Sequence, residues 1–342
     1  MRPSRSIALV LLVAFAATAM LAVRALDAQM RRPSEADGAV RIEVLPKSSV
    51  RAILQRLQQL RALRSARLVE LDLRLHGASP RMQVGTYDIP PHSSANMILE
   101  QFAAGRVVLE QLTVVEGWTF QQLRRALDEH PQLRHELRGL SDMQLMAVLG
   151  HPGEFPEGRF FPDTYRFAGG TSDKRILELA YERMQYELTS AWAARAGDLP
   201  LTDADQALVL ASIVEKETGR EDERSKVAAV FVNRLRRGMR LQADPTVIYG
   251  MGSAYDGDIR TRDLLADTPY NTYTRAGLPP TPIALPGAAS IRAALHPAPI
   301  EALYFVATGD GDGAHHFSAT LAEHDVALRH YLEKIGAHAA AR

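Results

Sequence analysis

Hydrophobic positions follow three patterns along this chain. Residues 7–23, IALVLLVAFAATAMLAV, are apolar apart from Thr18, and a run of this kind is at the short end of the ~17–25 residues that cross a bilayer. Residues 40–45 alternate apolar and polar as a half-buried strand does. A helical period follows, with Val50, Ile53, Leu54, Leu57 and Leu60 on one side and Ser48 or Ser49 placed to cap the helix start. A second helix is predicted through Leu68, Leu71 and Leu75, and a strand over residues 83–89. A further helix carries Met97, Ile98 and Phe102 and stops at Gly105. Residues 107–115 predict another strand, leading to a helix with Phe120, Leu123 and Leu127 and short helices up to residue 149. Longer helical patterns cover 173–196, 203–219 and 221–237. The chain closes with a helix at 288–295, a strand at 302–307, a Gly/Asp turn and a last helix from about Thr320.

Two stretches have no clean period. Residues 155–167, FPEGRFFPDTYRF, hold two prolines and five aromatic rings and are assigned as an ordered loop, with Phe160 and Phe161 as packing residues. Residues 244–286 are rich in Gly, Pro, Asn and Tyr and too long for a plain connection, and a loop of that length usually builds a site. The expected class is therefore α+β. It comprises an N-terminal transmembrane helix with a cytoplasmic tail (1–26), a linker (27–39), a small α+β module (40–106) and a mainly helical domain with long loops (107–342).

Composition narrows the function. Forty Lys and Arg balance forty Asp and Glu, so no basic field draws the chain to nucleic acid. There is no cysteine, which excludes disulfides, thiolate catalysis and cysteine-held zinc. The apolar run is longer than the ~7–15 residues of a cleaved signal core and lacks a small-x-small cleavage site after it, so it is assigned as an uncleaved anchor. Arg2 and Arg5 precede it, while Arg24, Arg31, Arg32 and Arg41 follow it, so charge counting does not orient it. The short N-terminal tail favours the N-terminus inside and the rest outside.

The chemistry concentrates in LVLASIVEKETG, residues 208–219. At ~100° per residue its apolar members cover nearly the whole circumference, which predicts a buried helix. Glu215 falls between Leu208 and Ala211, whereas Glu217 lies ~200° away between Ile213 and Leu210, so the two cannot serve one site side by side. A carboxyl among apolar groups tends to keep its proton, as the general acid of glycoside cleavage must. The plainer alternative pairs both glutamates with Lys216, Arg220 or Arg224. Downstream, Gln242, Asp244, Thr246 and Tyr249 crowd within eight residues, and amides, hydroxyls and aromatic faces are the groups that bind sugars. His315 and His316, with His296 and His324 elsewhere, lack metal-ligand spacing and are assigned as structural.

The stretches VEGWTFQQL, EGRFFPDTYRF, LASIVEKETGREDERSKVAAVFVNRLRRGMRLQADPTVIYGMG, YNTYTRAGLPPTPIALPGAASIRAALHPA and LYFVATGDG with HHFSATLAEH resemble the YceG-like (MltG) family of endolytic murein transglycosylases. They keep the family's order over residues 115–324. Residues 42 to about 105, with VLPKSSVRAIL and VGTYDIP, resemble the family's LysM-like module. The turn TGDGDGAHH departs from the family in length.

The resemblance implies an inner-membrane protein with a periplasmic catalytic domain. It would cleave nascent glycan between N-acetylmuramic acid and N-acetylglucosamine, leave a 1,6-anhydro end and so terminate strand elongation. It makes Glu215 the catalytic residue and places Gln242, Asp244, Asn271 and Tyr273 in the substrate cleft. Peptidoglycan strands are the implied partner, with peptidoglycan synthases as possible neighbours, and no metal or cofactor is called for. A typical glycosidase needs two carboxylates. Here the muramic 6-hydroxyl can be the nucleophile, so one acid would suffice. A hydrolytic muramidase and a non-catalytic peptidoglycan-binding scaffold are the competing readings.

Overall fold

The computed structural model describes residues 5–45, 47–76 and 82–340; Arg2, and Pro46 of VLPKSSVRAIL, lie outside them. The chain divides into two compact units, residues 1–111 with 166–171, and 112–165 with 172–342.

The first unit starts with helix α1, Arg5–Met30. Among the described residues it is the one helix long and apolar enough to cross a membrane, and the apolar 18-residue window within Leu9–Met30 is unburied, whereas Leu26 and Met30 toward the end of the helix are buried. Strand β1 (Val40–Val44), helices α2 (Val50–Gln59) and α3 (Ala66–Leu75), strand β2 (Gly85–Ile89) and helix α4 (Ala95–Ala103) follow. β1 and β2 pair antiparallel from Val40 opposite Ile89 to Val44 opposite Gly85. Serines cap the three helices: Ser49, Ser65 and Ser94 each accept a backbone N–H from the first turn, which satisfies donors that a helix start otherwise leaves unpaired. The core is Ile42, Val44, Ile53, Leu54, Leu57, Val69, Tyr87, Ile89, Ile98 and Phe102.

Two expectations change here. The face of α3 that packs inward is Ala66, Val69 and Leu73, while Leu68, Leu71 and Leu75 are exposed. Both sets have helical spacing, so periodicity could not choose between them. Within residues 27–39, mostly exposed, Met30, Ser34 and Ala36 are buried against the unit. α1 runs on to Met30, which is buried in the core, and Ser34 donates its N–H to Ser93 O at 3.0 Å.

Strand β3 (Leu109–Thr113) pairs with β4 (Thr164–Ala168), and the division between units runs through both strands. β4 is the tail of the stretch expected to be loop. The second unit holds α5 (Phe120–Glu129), α6 (Asp142–Val148), α7 (Asp173–Ala193), α8 (Ala204–Glu217) and α9 (Arg224–Arg236). The segment expected to be one long loop contains α10 (Asp244–Met251) and α11 (Thr261–Leu265). Pro245 stands in the first turn of α10, where its missing N–H costs nothing; the same proline reads as a breaker when only composition is considered. Helix α12 (Ala288–Leu295), the antiparallel hairpin of β5 (Tyr304–Ala307) and β6 (His315–Ser318), and α13 (Leu321–Ala340) complete the chain. α8 lies at the centre, with every residue from Ala207 to Val214 buried against α7, α9, α10 and α12.

Candidate active site

α8 delivers Glu215 where the buried helix meets solvent. Asp203 caps its start by accepting the Gln206 N–H at 2.8 Å, and Thr218, in extended conformation, ends it. One turn before Glu215, the buried Ser212 donates to Val209 O at 2.7 Å and accepts the N–H of Ile283 at 3.0 Å. That second bond ties the segment leading into α12 to α8. Gly287 is the N-cap of α12, and Glu215 Oε2 accepts its N–H at 3.0 Å and the Ser290 hydroxyl at 2.7 Å. Two donors converge on Oε2, and neither reaches Oε1. The carboxylate also meets the electropositive end of a helix. None of the ion pairs weighed from sequence is made: Arg220 binds Asp222 and Asp312, and Lys216 donates to Gly117 O at 3.3 Å.

The proposed sugar-binding residues gather elsewhere, around Arg234 and Glu217. Arg234 is buried and donates to Leu303 O at 2.7 Å, Leu241 O at 2.8 Å and Gln242 Oε1 at 3.2 Å. Gln242 has a φ of 51°, a left-handed conformation that costs a non-glycine residue energy. Its backbone N–H is held by Thr272 O at 3.1 Å. Asp244, the first residue of α10, accepts the Tyr273 hydroxyl at 2.5 Å. Burial pushes the Glu217 carboxyl up to about 8, helped by the charge of Asp244 and opposed by Arg234. Burial and Asp244 together push the Tyr273 phenol upward.

Asn271 has a different place from the other three. It is buried, its amide donates to Asp263 O, Leu264 O and Ala266 O at 3.3, 3.0 and 2.7 Å, and its oxygen accepts the Tyr273 N–H at 2.8 Å. Its side chain is a staple that shapes the loop presenting Tyr273. The structure thus brings Gln242, Asp244 and Tyr273 together, with Asn271 behind them. Glu215 has its own set of partners.

Sequence reasoning passed over three carboxylates. Glu116, in VEGWTFQQL, lies against Gly287, and its carboxyl is pushed upward by burial and then by the charge of Glu215. Glu157, in EGRFFPDTYRF, is buried and accepts Phe120 N–H at 2.9 Å and the Tyr249 hydroxyl at 3.0 Å; burial raises it to about 7. Glu223 is buried and holds His315 through Nδ1 at 2.8 Å and the backbone N–H at 3.1 Å, which gives that histidine a structural place. The signal for the first two was their position inside motifs whose other residues attracted attention. Phe160 and Phe161 are core residues, Phe160 stacking on Phe120 at 5.2 Å. Tyr165 donates to Phe161 O at 2.6 Å.

The sequence profile of the YceG-like family matches residues 42–330. The endolytic murein transglycosylase of Bacillus subtilis (strain 168) is 30% identical over 321 residues, covering 88% of this chain and 87% of that protein. The endolytic murein transglycosylase of Streptococcus pneumoniae serotype 2 (strain D39 / NCTC 7466) is 27% identical over 259 residues, and the match covers 66% of this chain and 46% of that longer protein. A crystal structure of a YceG-like protein from Listeria monocytogenes superposes with a TM-score of 0.52 at 28% identity, covering 84% of this chain and 98% of that one. With a match over most of its length to the profile and to a relative of nearly the same extent, this chain belongs to the YceG-like family.

Proposed function

We propose that this protein is an endolytic peptidoglycan lytic transglycosylase, with Glu215 as its proton donor and acceptor. The observation that carries the reading is the placement of Glu215 at the open end of a buried helix, one carboxylate oxygen fixed by Gly287 and Ser290 and the other available. The naming of relatives that align along most of the chain supports the substrate. In the reaction, Glu215 Oε1–H gives its proton to the glycosidic oxygen linking N-acetylmuramic acid to N-acetylglucosamine, and the C1–O bond breaks. The muramic 6-hydroxyl oxygen then bonds to C1 and its proton passes to Glu215. No water is consumed and the acid is regenerated.

Gln242, Asp244 and Tyr273 present amide, carboxylate and phenol groups to the glycan, and Asn271 sets the loop that carries Tyr273. The β1–α2–α3–β2 order of the first unit, with its antiparallel strand pair, supports a LysM-like module that holds the strand. α1 supports an inner-membrane anchor, with both units in the periplasm beside the synthases that make the strands. Mass spectrometry of muropeptides released from purified sacculi tests the reaction: only 1,6-anhydro ends are expected, with no oxygen from heavy-oxygen water. Reducing ends carrying the label would make the protein a hydrolase.

A further inference from the structure

The loop bearing Glu116 is locked onto the segment that holds Glu215. Gly117 donates its N–H to Leu285 O at 2.9 Å, and Leu285 donates back to Trp118 O at 2.7 Å. Gly117 makes the turn with a φ of 78°, and a β-carbon there would lie 3.8 Å from Glu215 Cγ. At Gly287, whose N–H is bonded to Glu215, a β-carbon would overlap the Glu116 carboxylate itself. Gly287 has an ordinary negative φ of −77°, so what its missing side chain leaves there is room for the Glu116 carboxylate in this position rather than backbone freedom. The two carboxylates therefore stand on either side of one glycine.

Glu116 differs from the other acids nearby in being unengaged. Among the described residues no hydrogen bond or ion pair reaches its carboxylate, and the residue is exposed. The charged groups that act on it are Glu215, Arg224 and Arg292, the two arginines favouring its ionised form. Burial and then the charge of Glu215 push the Glu116 carboxyl upward, against the pull of the two arginines. With a proton on Glu215, as the donor role requires, that charge no longer pushes Glu116 upward, and Arg224 and Arg292 favour its anion. An exposed anion beside the proton donor is what an oxocarbenium-like transition state can use.

We propose that Glu116 is a second catalytic carboxylate of the glycan-cleaving reaction, an anion that faces the anomeric carbon and offsets the positive charge developing there. It exchanges no proton and forms no bond; the proton cycle stays with Glu215, so this proposal rests on the transglycosylase reading above. Its effect is confined to the transition state, so it raises kcat and leaves ground-state binding nearly unchanged.

The test uses the full-length protein in detergent, purified sacculi as substrate, and two ligands of equal length. One is a neutral N-acetylated glycan and the other the same glycan ending in a protonated iminosugar. Glu116→Gln is expected to lower kcat by about 100-fold, the scale of removing one transition-state contact, with KM within about twofold. It should lose at least about tenfold in affinity for the cationic ligand and keep its affinity for the neutral one, while Glu116→Asp recovers part of both losses. Cleavage by Glu116→Gln within about threefold of wild type overturns the proposal, as does equal weakening of both ligands, which marks a structural role. Failure of the underlying reading shows separately, as retained cleavage by Glu215→Gln.

Discussion

Glu215 and Glu217 sit two positions apart on one helix and behave as different chemical groups. Glu215 is held by a backbone N–H and a hydroxyl from the start of α12, and Glu215→Gln is expected to reduce muropeptide release by at least ~100-fold while melting temperature and glycan binding stay near wild type. Activity within a few-fold of wild type would remove Glu215 from the reaction. Burial raises the Glu217 carboxyl to about 8 in the fold, against the ordinary 4.5 of a glutamate. Between those values the unfolded chain gains by ionising and the folded chain does not. Stability from this group is therefore full below about pH 4.5, falls as pH rises toward 8, and levels off above. Glu217→Gln carries no such titration, so it should match wild type in melting temperature at pH 5 and exceed it by a few degrees at pH 8.5, a gain of ~1–2 kcal/mol. Cleavage should fall far less than in Glu215→Gln. The motif around Glu215 was readable in the chain, and so was the angular separation of the two glutamates. Glu116 was not, because its partner is created by a loop folding back from a distant part of the sequence, which no local period records.

At the scale of elements, the site depends on how α8 and α12 are joined. Ser212 accepts the N–H of Ile283, and both residues are buried. Ser212→Ala leaves that N–H without a partner, so a loss of ~1–3 kcal/mol is expected in denaturant unfolding. Because the same segment supplies Gly287 and Ser290 to Glu215, cleavage should fall with it; unchanged stability and activity would show that the tie is dispensable. The long helices were legible because a sustained 3.6-residue period survives errors at their ends, as α7 and α8 show. α10 and α11 were not, since each is only a turn or two long and is surrounded by Gly, Pro and Asn, which read as turn formers wherever they occur. On α3 the period itself was ambiguous, Leu68, Leu71 and Leu75 competing with Ala66, Val69 and Leu73, and only packing chose the inward set.

For the whole molecule, the expectation is that the intact protein stays in the membrane fraction after alkaline washing and that a C-terminal reporter is active only in the periplasm. Recovery of a soluble form processed near Ala28 would make the apolar run a signal peptide. The continuity of α1 into the first unit's core sets how far that unit stands from a bilayer. Its 26 residues span ~39 Å at 1.5 Å each, against ~30 Å of hydrocarbon. The remaining ~9 Å is little more than the turn from Leu26 to Met30, and both of those residues are buried in the fold. With α1 in a membrane, the first unit stands on a stiff post and not on a leash, within about a headgroup's depth of the lipid. Such a mounting fixes the height of the first unit above the lipid, where a flexible tether would let it range.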